Sequence, residues 1–172
     1  MDNVIIRPGI KEDLTEVLEL VKELAEYERA PLEVTNTVSK MEEDGFGDNP
    51  IFGFFVAEKD KKIVGLSLYY YRYSTWKGRR LFLEDIIVTE NERGKGIGKL
   101  LLPPLIEAAK KLEMHTIIAS IDASNESSLR LHKSFGFEEV AHFKQVGYKF
   151  GRWLDLKFLQ LMLKGPKLPE EG

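Results

Sequence analysis

The run Leu81-Phe82-Leu83-Glu84-Asp85-Ile86-Ile87-Val88 is followed by Thr89-Glu90-Asn91-Glu92 and then Arg93-Gly94-Lys95-Gly96-Ile97-Gly98-Lys99, and this constrains the chain more than any other feature. The apolar, β-branched run reads as a strand, the polar tetrapeptide as a turn, and the alternating glycines as the opening of a helix. Glycine lets the backbone adopt positive φ and come close to a ligand. The first amides of a helix lack intrahelical partners and face whatever lies at its start. With Arg93 and Lys99 adding positive charge, the unit reads as a cradle for a phosphate or pyrophosphate.

The rest of the pattern alternates in the same way. Val4 to Arg7 is a strand stopped by Pro8-Gly9. Asp13 stands at an N-cap, and apolar residues at helical spacing predict a helix over 13–28. A second short helix is expected over 35–44. Phe52 to Glu58 and Ile63 to Tyr73 read as strands joined by a hairpin turn at Asp60-Lys61-Lys62. A helix over 97–112 contains Pro103-Pro104, which predicts a kink, because an interior proline removes a backbone bond at a cost of about 3 kcal/mol. A strand over 116–121, a helix over 127–134 and two late strands near 138–148 and 153–163 complete the order. The fold class is α/β (α+β), a single mixed, mostly antiparallel sheet of six to seven strands with helices on both faces. One domain over 1–164 with a loose tail over 165–172 is the expected organisation.

Composition removes several chemistries. The chain has no cysteine, so disulfides, thiol nucleophiles and thiolate metal sites are excluded. His115, His132 and His142 show no metal-ligand spacing, so no metal is expected. No apolar run approaches the roughly 20 residues that span a bilayer. The net charge of −3 argues against nucleic acid and suits a cationic substrate. A cytoplasmic protein without a membrane partner is the expectation.

A triphosphate-binding loop would need Gly-x-x-x-x-Gly-Lys-Ser/Thr, and a dinucleotide fold would need Gly-x-Gly-x-x-Gly near its start. The chain has Arg93-x-x-Gly96-x-Gly98 after antiparallel hairpins instead. That pattern resembles the acetyl-CoA pyrophosphate loop of the GNAT superfamily of N-acetyltransferases. An ordered set of further pieces resembles its spermidine/spermine (diamine) acetyltransferase branch. These are Ile6-Arg7-Pro8, Lys22-Glu23-Leu24-Ala25-x-Tyr27-Glu28, Glu43-Asp44-Gly45-Phe46-Gly47, Val56-Ala57-Glu58, Tyr69-Tyr70, Trp76-x-Gly78, Leu83-Glu84-Asp85 and Asn125-Glu126-x-Ser128. The C-terminal part, through Leu131-His132-x-x-x-Gly136-Phe137 and Val146 to Asp155, is similar to phosphinothricin-type acetyltransferases, whose substrates are amino acids.

The resemblance implies acetyl-CoA as cofactor and assigns roles residue by residue. The backbone of Ile86, Ile87 and Val88 would pair with the pantetheine arm. The segment Arg93, Gly94, Lys95, Gly96, Ile97, Gly98 and Lys99 would cradle the pyrophosphate. Asn125, Glu126, Ser127 and Ser128 would line the other side, and Asn125 is also a good N-cap. Glu84 matches the family's carboxylate beside the acyl carbon, and Tyr27, Glu28 and Glu84 match its acceptor contacts. Where the family usually has a tyrosine as general acid, this chain has His132, which shares a helical face with Asn125 and Ser128.

An ammonium near pKa 10.4 must lose a proton before it attacks, which costs about 4 kcal/mol at neutral pH, and a carboxylate such as Glu84 is suited to take it. The implied activity is direct acetyl transfer to the primary amine of a small cationic substrate, with a di- or polyamine as first choice. An amino acid, lysine-like or phosphinothricin-like, is the alternative, and a CoA-binding regulator without turnover is a third. The resemblance also implies a homodimer, with the late strands packing between subunits.

Overall fold

A computed structural model describes residues 3–27, 30–75, 78–149 and 151–163. Eleven regular elements follow the predicted order: β1 (Val4–Pro8), α1 (Leu14–Tyr27), α2 (Val38–Phe46), β2 (Phe52–Lys59), β3 (Lys62–Ser74), β4 (Gly78–Val88), α3 (Ile97–Lys111), β5 (Thr116–Asp122), α4 (Glu126–Lys133), β6 (Glu138–Lys149) and β7 (Arg152–Met162). The hydrogen-bonded strand order is β1-β2-β3-β4-β5-β7-β6. The expected tail over 165–172 lies outside the described residues.

The chain forms two compact units. Met1–Tyr70 and Asp85–Leu105 make the first, and Tyr71–Glu84 and Ile106–Gly172 the second.

In the first unit β1 pairs antiparallel with β2, and β2 with β3. The β2–β3 turn puts Asp60 and Lys61 at φ 51° and 63°, the left-handed conformation that matches the twist of a two-residue hairpin. Alternation along the strands divides their side chains between two faces. Phe54, Val56 and Leu66 pack with Leu14, Val17 and Leu18 of α1 and Met41 of α2. Ala57 and Val64 pack with Ile97 and Leu101 of α3. Helices therefore cover both faces, as expected. A Cβ on Gly65 would meet the Ile87 carbonyl oxygen and side-chain atoms of Ile97 and Leu101, each at 3.2 Å. The missing side chain lets α3 lie close to the strands.

Asp13 differs from its expected role as a simple helix cap. It closes a 3-10 turn (Lys11–Asp13), where its carboxylate accepts from the Ile10 amide at 2.9 Å. It also takes both ends of the Arg7 guanidinium, at 2.7 and 2.8 Å. Arg7 Nε donates to Glu58 at 2.8 Å. The guanidinium holds Asp13 below the usual carboxylate range, and Asp13 raises Arg7 in turn.

Both prolines lie inside α3, whose assignment is unbroken through Pro103-Pro104. Neither has an N–H to offer, so the carbonyls four residues back, on Lys99 and Leu100, receive no intrahelical bond from them.

In the second unit β5 and β6 both pair antiparallel with β7. The β4–β5 ladder is parallel, matching Phe82 with Ile118 and Leu83 with Ala119. The β6 register slips between Phe143 and Gly147, a bulge that the hydrophobic pattern does not announce. Asp155 holds it, accepting from the Gln145 amide at 2.9 Å and bonding His142 Nε2 at 3.0 Å. The backbone carbonyl of Asp155 also accepts from the Ala123 amide, which ties the same residue to the segment ahead of α4.

Candidate active site

The glycine loop takes the conformation its sequence requires. Thr89 N donates to Val64 O at 3.0 Å, and a 3-10 turn over Glu90–Glu92 follows. Gly94 and Gly96 then sit at φ 75° and 83°. A Cβ built on Gly94 meets nothing within 4 Å, so open space lies over the backbone there. Such a loop, running into the start of α3 where the Lys99 amide donates to Gly96 O at 3.0 Å, fits a pyrophosphate. Upstream, Ile86 and Val88 pack with the α3 cluster and Ile87 with the α1–α2 cluster.

The charges around the loop are largely committed. Arg93 turns back, its Nε donating to Val88 O at 2.9 Å, with its guanidinium 4.7 Å over the Tyr27 ring and Nη2 3.8 Å from Glu23. Its side chain is therefore not the free cation that the sequence suggests, although its backbone still enters the loop. Lys59 and Lys95 share Glu92, at 2.8 and 3.2 Å, and Lys59 holds Glu92 below the usual carboxylate range. Lys99 is exposed with no carboxylate partner among the described residues. Tyr27 belongs to this cluster, whereas Glu28 lies outside the described residues.

In the second unit, Leu81 and Leu83 are buried, and the alternate residues Phe82 and Glu84 share the other face of β4. The Glu84 carboxylate is exposed and has no hydrogen-bond or ion-pair partner among the described residues. The Arg72 guanidinium of β3 lies 5.4 Å over the Phe82 ring. It is exposed and faces no carboxylate among the described residues. Arg72 was not singled out from sequence, because only cross-strand placement puts it on the Glu84 face.

At α4 the predicted face forms. Asn125 Oδ1 caps the helix by accepting from Ser128 N at 3.0 Å. His132 Nδ1 lies 2.8 Å from Ser128 O and 3.4 Å from Ser128 Oγ. A carbonyl only accepts, so Nδ1 carries the proton and Nε2 is left as a bare acceptor. The ring is 3% exposed, its edge meets Phe137 at 5.1 Å, and Nε2 has no partner. Burial pushes the imidazole below its ordinary value, against the opposing pull of Ser128 O. Glu126 and Ser127 are exposed, and Glu126 pairs with Arg130 at 2.9 Å.

A cavity of about 310 Å³ opens in the first unit, walled by Phe46, Phe52, Phe54, Phe55 and Tyr69. Pro8, Gly45, Phe46 and Tyr69 of the matched motif pieces line it, but none of the candidate cofactor, catalytic or acceptor residues does. Among the described residues, Tyr69 is the one titratable side chain in its wall, which carries no carboxylate, imidazole or amine. No cluster of metal-ligating side chains occurs among the described residues, and no helix among them is long and apolar enough to cross a membrane.

Residues 14–137 match the acetyltransferase (GNAT) family. A thialysine N-epsilon-acetyltransferase from Bos taurus is 34% identical over 145 residues, 80% of this chain and 85% of that protein. A spermidine/spermine N(1)-acetyltransferase-like protein from Homo sapiens is 34% identical over 143 residues, 79% of this chain and 21% of that longer one. Among solved structures, an acetyltransferase from Salmonella typhimurium with its cofactor acetyl-CoA matches with a TM-score of 0.77 at 29% identity, covering 99% of this chain and all of that one, 100%.

Proposed function

This chain belongs to the acetyltransferase (GNAT) family, an N-acetyltransferase that uses acetyl-CoA, and on that premise we propose which residues do the work and on which acceptor. The amides of Gly94 to Gly98 hold the pyrophosphate, the Lys99 amide being bonded to Gly96 O, and the backbone of Ile86, Ile87 and Val88 pairs with the pantetheine arm. Asn125, Glu126, Ser127 and Ser128 line the cofactor at the start of α4. Acetyl-CoA supplies the acyl group already activated as a thioester.

Glu84 takes the proton from the acceptor's ammonium, directly or through water, and so lowers the roughly 4 kcal/mol that deprotonation costs at neutral pH. The observation that carries this role is its exposed carboxylate, unpartnered among the described residues. His132 is a weak candidate for the acid. Its one proton is bound to Ser128 O, and adding another to Nε2 is opposed by burial. We assign His132 to holding α4. A CoA thiol titrates near 8.5 by analogy with cysteine, so the thiolate leaves without an acid.

For the acceptor we favour an amino acid over a polyamine. Arg72 and Glu84 present opposite charges on one face of the second unit, which suits a molecule carrying both carboxylate and ammonium. A polyamine would meet the Arg72 charge as repulsion. The polyamine reading keeps the support of the spermidine/spermine-like relative and of the matched motifs. Acetyl-CoA consumption by the purified protein over amino acids, diamines and polyamines decides. Turnover of polyamines alone would sink the amino-acid reading, and tight CoA binding without any turnover would leave a regulator.

A cytoplasmic homodimer is part of the same proposal. The β6–β7 hairpin exposes Val140, Phe143, Val146, Tyr148 and Trp153 on an edge strand and its neighbour, apolar surface that a second copy would cover. Sedimentation of the purified protein as a monomer at micromolar concentration would remove that part.

A further inference from the structure

The turn that leads into the glycine loop is capped from outside by another element. Its first amide, Glu90 N, donates to Glu23 Oε1 at 2.7 Å, and Thr89 Oγ1 donates to Glu23 Oε2 at 2.8 Å. The Thr89 side chain does not cap the turn itself. Both oxygens of one carboxylate on α1 are thus committed to the segment between β4 and the glycines. At the far end of the turn, Arg93 is fixed by Val88 O, the Tyr27 ring and the same Glu23. Glu23 and Tyr27 are four residues apart, so one face of α1 reaches both ends of the turn.

Glycine loses more freedom on ordering than any other residue, so a loop with glycines at 94 and 96 holds its shape only if its ends are held. We infer that Glu23 is a positioning residue for the donor: it fixes the Thr89–Arg93 turn so that the amides beyond it are already aimed before the cofactor arrives. Arg93 serves the same end by offsetting the Glu23 charge, which would otherwise stand unpaired close to an anion-binding loop. Glu23 touches no reacting atom. The inference rests on the reading of this loop as the pyrophosphate cradle.

The test compares Glu23→Ala, Glu23→Gln and Thr89→Val with the wild type, using CoA titration by calorimetry, both Michaelis constants and Tm. Two hydrogen bonds to a charged acceptor are lost in Glu23→Ala, so Kd for CoA and KM for acetyl-CoA are expected to rise about tenfold or more. The acceptor KM should stay within about twofold, because binding energy for the acceptor is untouched. Thr89→Val, which removes one donor, should shift the same constants less, and adding it to Glu23→Ala should change little, because the pair acts as a unit. Glu23→Gln, which retains one acceptor oxygen, should fall between alanine and wild type. Folded Glu23→Ala with CoA affinity within about twofold of wild type would overturn the inference. A fall in Tm without a donor-specific change in KM would do so too. Should Glu23→Ala fail to fold, Thr89→Val decides alone on the same constants. Absence of CoA binding by the wild type would instead remove the cradle reading itself.

Discussion

His132 donates its Nδ1 proton to the carbonyl of Ser128, 2.8 Å away and one turn earlier on α4, and so closes a loop between the cap of that helix and its last buried side chain. Ser128 N in turn donates to Asn125, and the His132 edge meets Phe137 just beyond the helix. The imidazole is thus a structural member of α4, held neutral by its surroundings.

That neutrality has a measurable consequence. The folded protein binds a proton at His132 less readily than the unfolded chain, whose histidines titrate near 6.5. The unfolded state therefore takes up more protons as pH falls below about 6.5, and stability falls with it, by up to about 1.4 kcal/mol per pH unit until the folded value is reached. Above about pH 6.5 the contribution is complete. Denaturant unfolding at pH 7.5 and 5.5 is expected to show this loss in the wild type and a smaller one in His132→Gln. Equal losses in both would remove His132 as the cause.

Glu84→Gln keeps the shape of the side chain but cannot accept a proton. Its kcat/KM is expected to fall about a hundredfold or more at neutral pH, the usual worth of a positioned base. The residual rate should climb with pH toward the amine's own pKa, because only the free amine then reacts. CoA affinity should not change. A rate within a few-fold of wild type would remove Glu84 as the base.

The glycine loop, the cap at Asn125 and nearly every element boundary were legible in the chain because they are local. A β-branched run, a glycine at positive φ and an Asn three residues ahead of its amide partner each act over a few residues. What escaped was non-local. Asp13 is hydrogen-bonded to a strand residue across a turn, so it looks like a cap until Arg7 is placed beside it. Glu23 meets Thr89 and Glu90 across 66 and 67 residues of chain. Helical spacing put His132 on the right face of α4 but could not give its depth, and depth decides its protonation. The bulge at Phe143–Gly147 escaped for the same reason, since Asp155 on the next strand holds it.

Arg72 gives the acceptor its test. If it receives a carboxylate, Arg72→Gln loses a charge-assisted pair worth about 1.5–3 kcal/mol, and KM for an amino-acid acceptor rises about tenfold or more. The same change leaves KM for a diamine unaltered or lower, because a repelling charge is gone. The acetyl-CoA constants should be untouched. An equal rise for both classes of acceptor would mean that Arg72 acts by packing on Phe82 and not by recognising charge.

The Arg7–Asp13 pair makes the last prediction, and its sign follows from the direction of the Asp13 shift. Asp13 is nearly buried, with its side chain 8% exposed, and satisfies both Arg7 and the Ile10 amide. In Asp13→Asn the guanidinium keeps Glu58 but loses its bidentate partner, so the cost is below the 3–5 kcal/mol of a fully buried pair and about 1–3 kcal/mol is expected. For a chain of this size that corresponds to a fall in Tm of about 2–12 °C at neutral pH. Because Arg7 holds the folded carboxyl below its unfolded value near 3.9, the stabilisation is complete above about pH 5 and is lost as pH falls through the folded value. The gap between wild type and Asp13→Asn should therefore be constant from pH 8 to about pH 5 and close in stronger acid. A gap that persists undiminished at low pH would show that geometry at Ile10, and not the ion pair, is what Asp13 contributes.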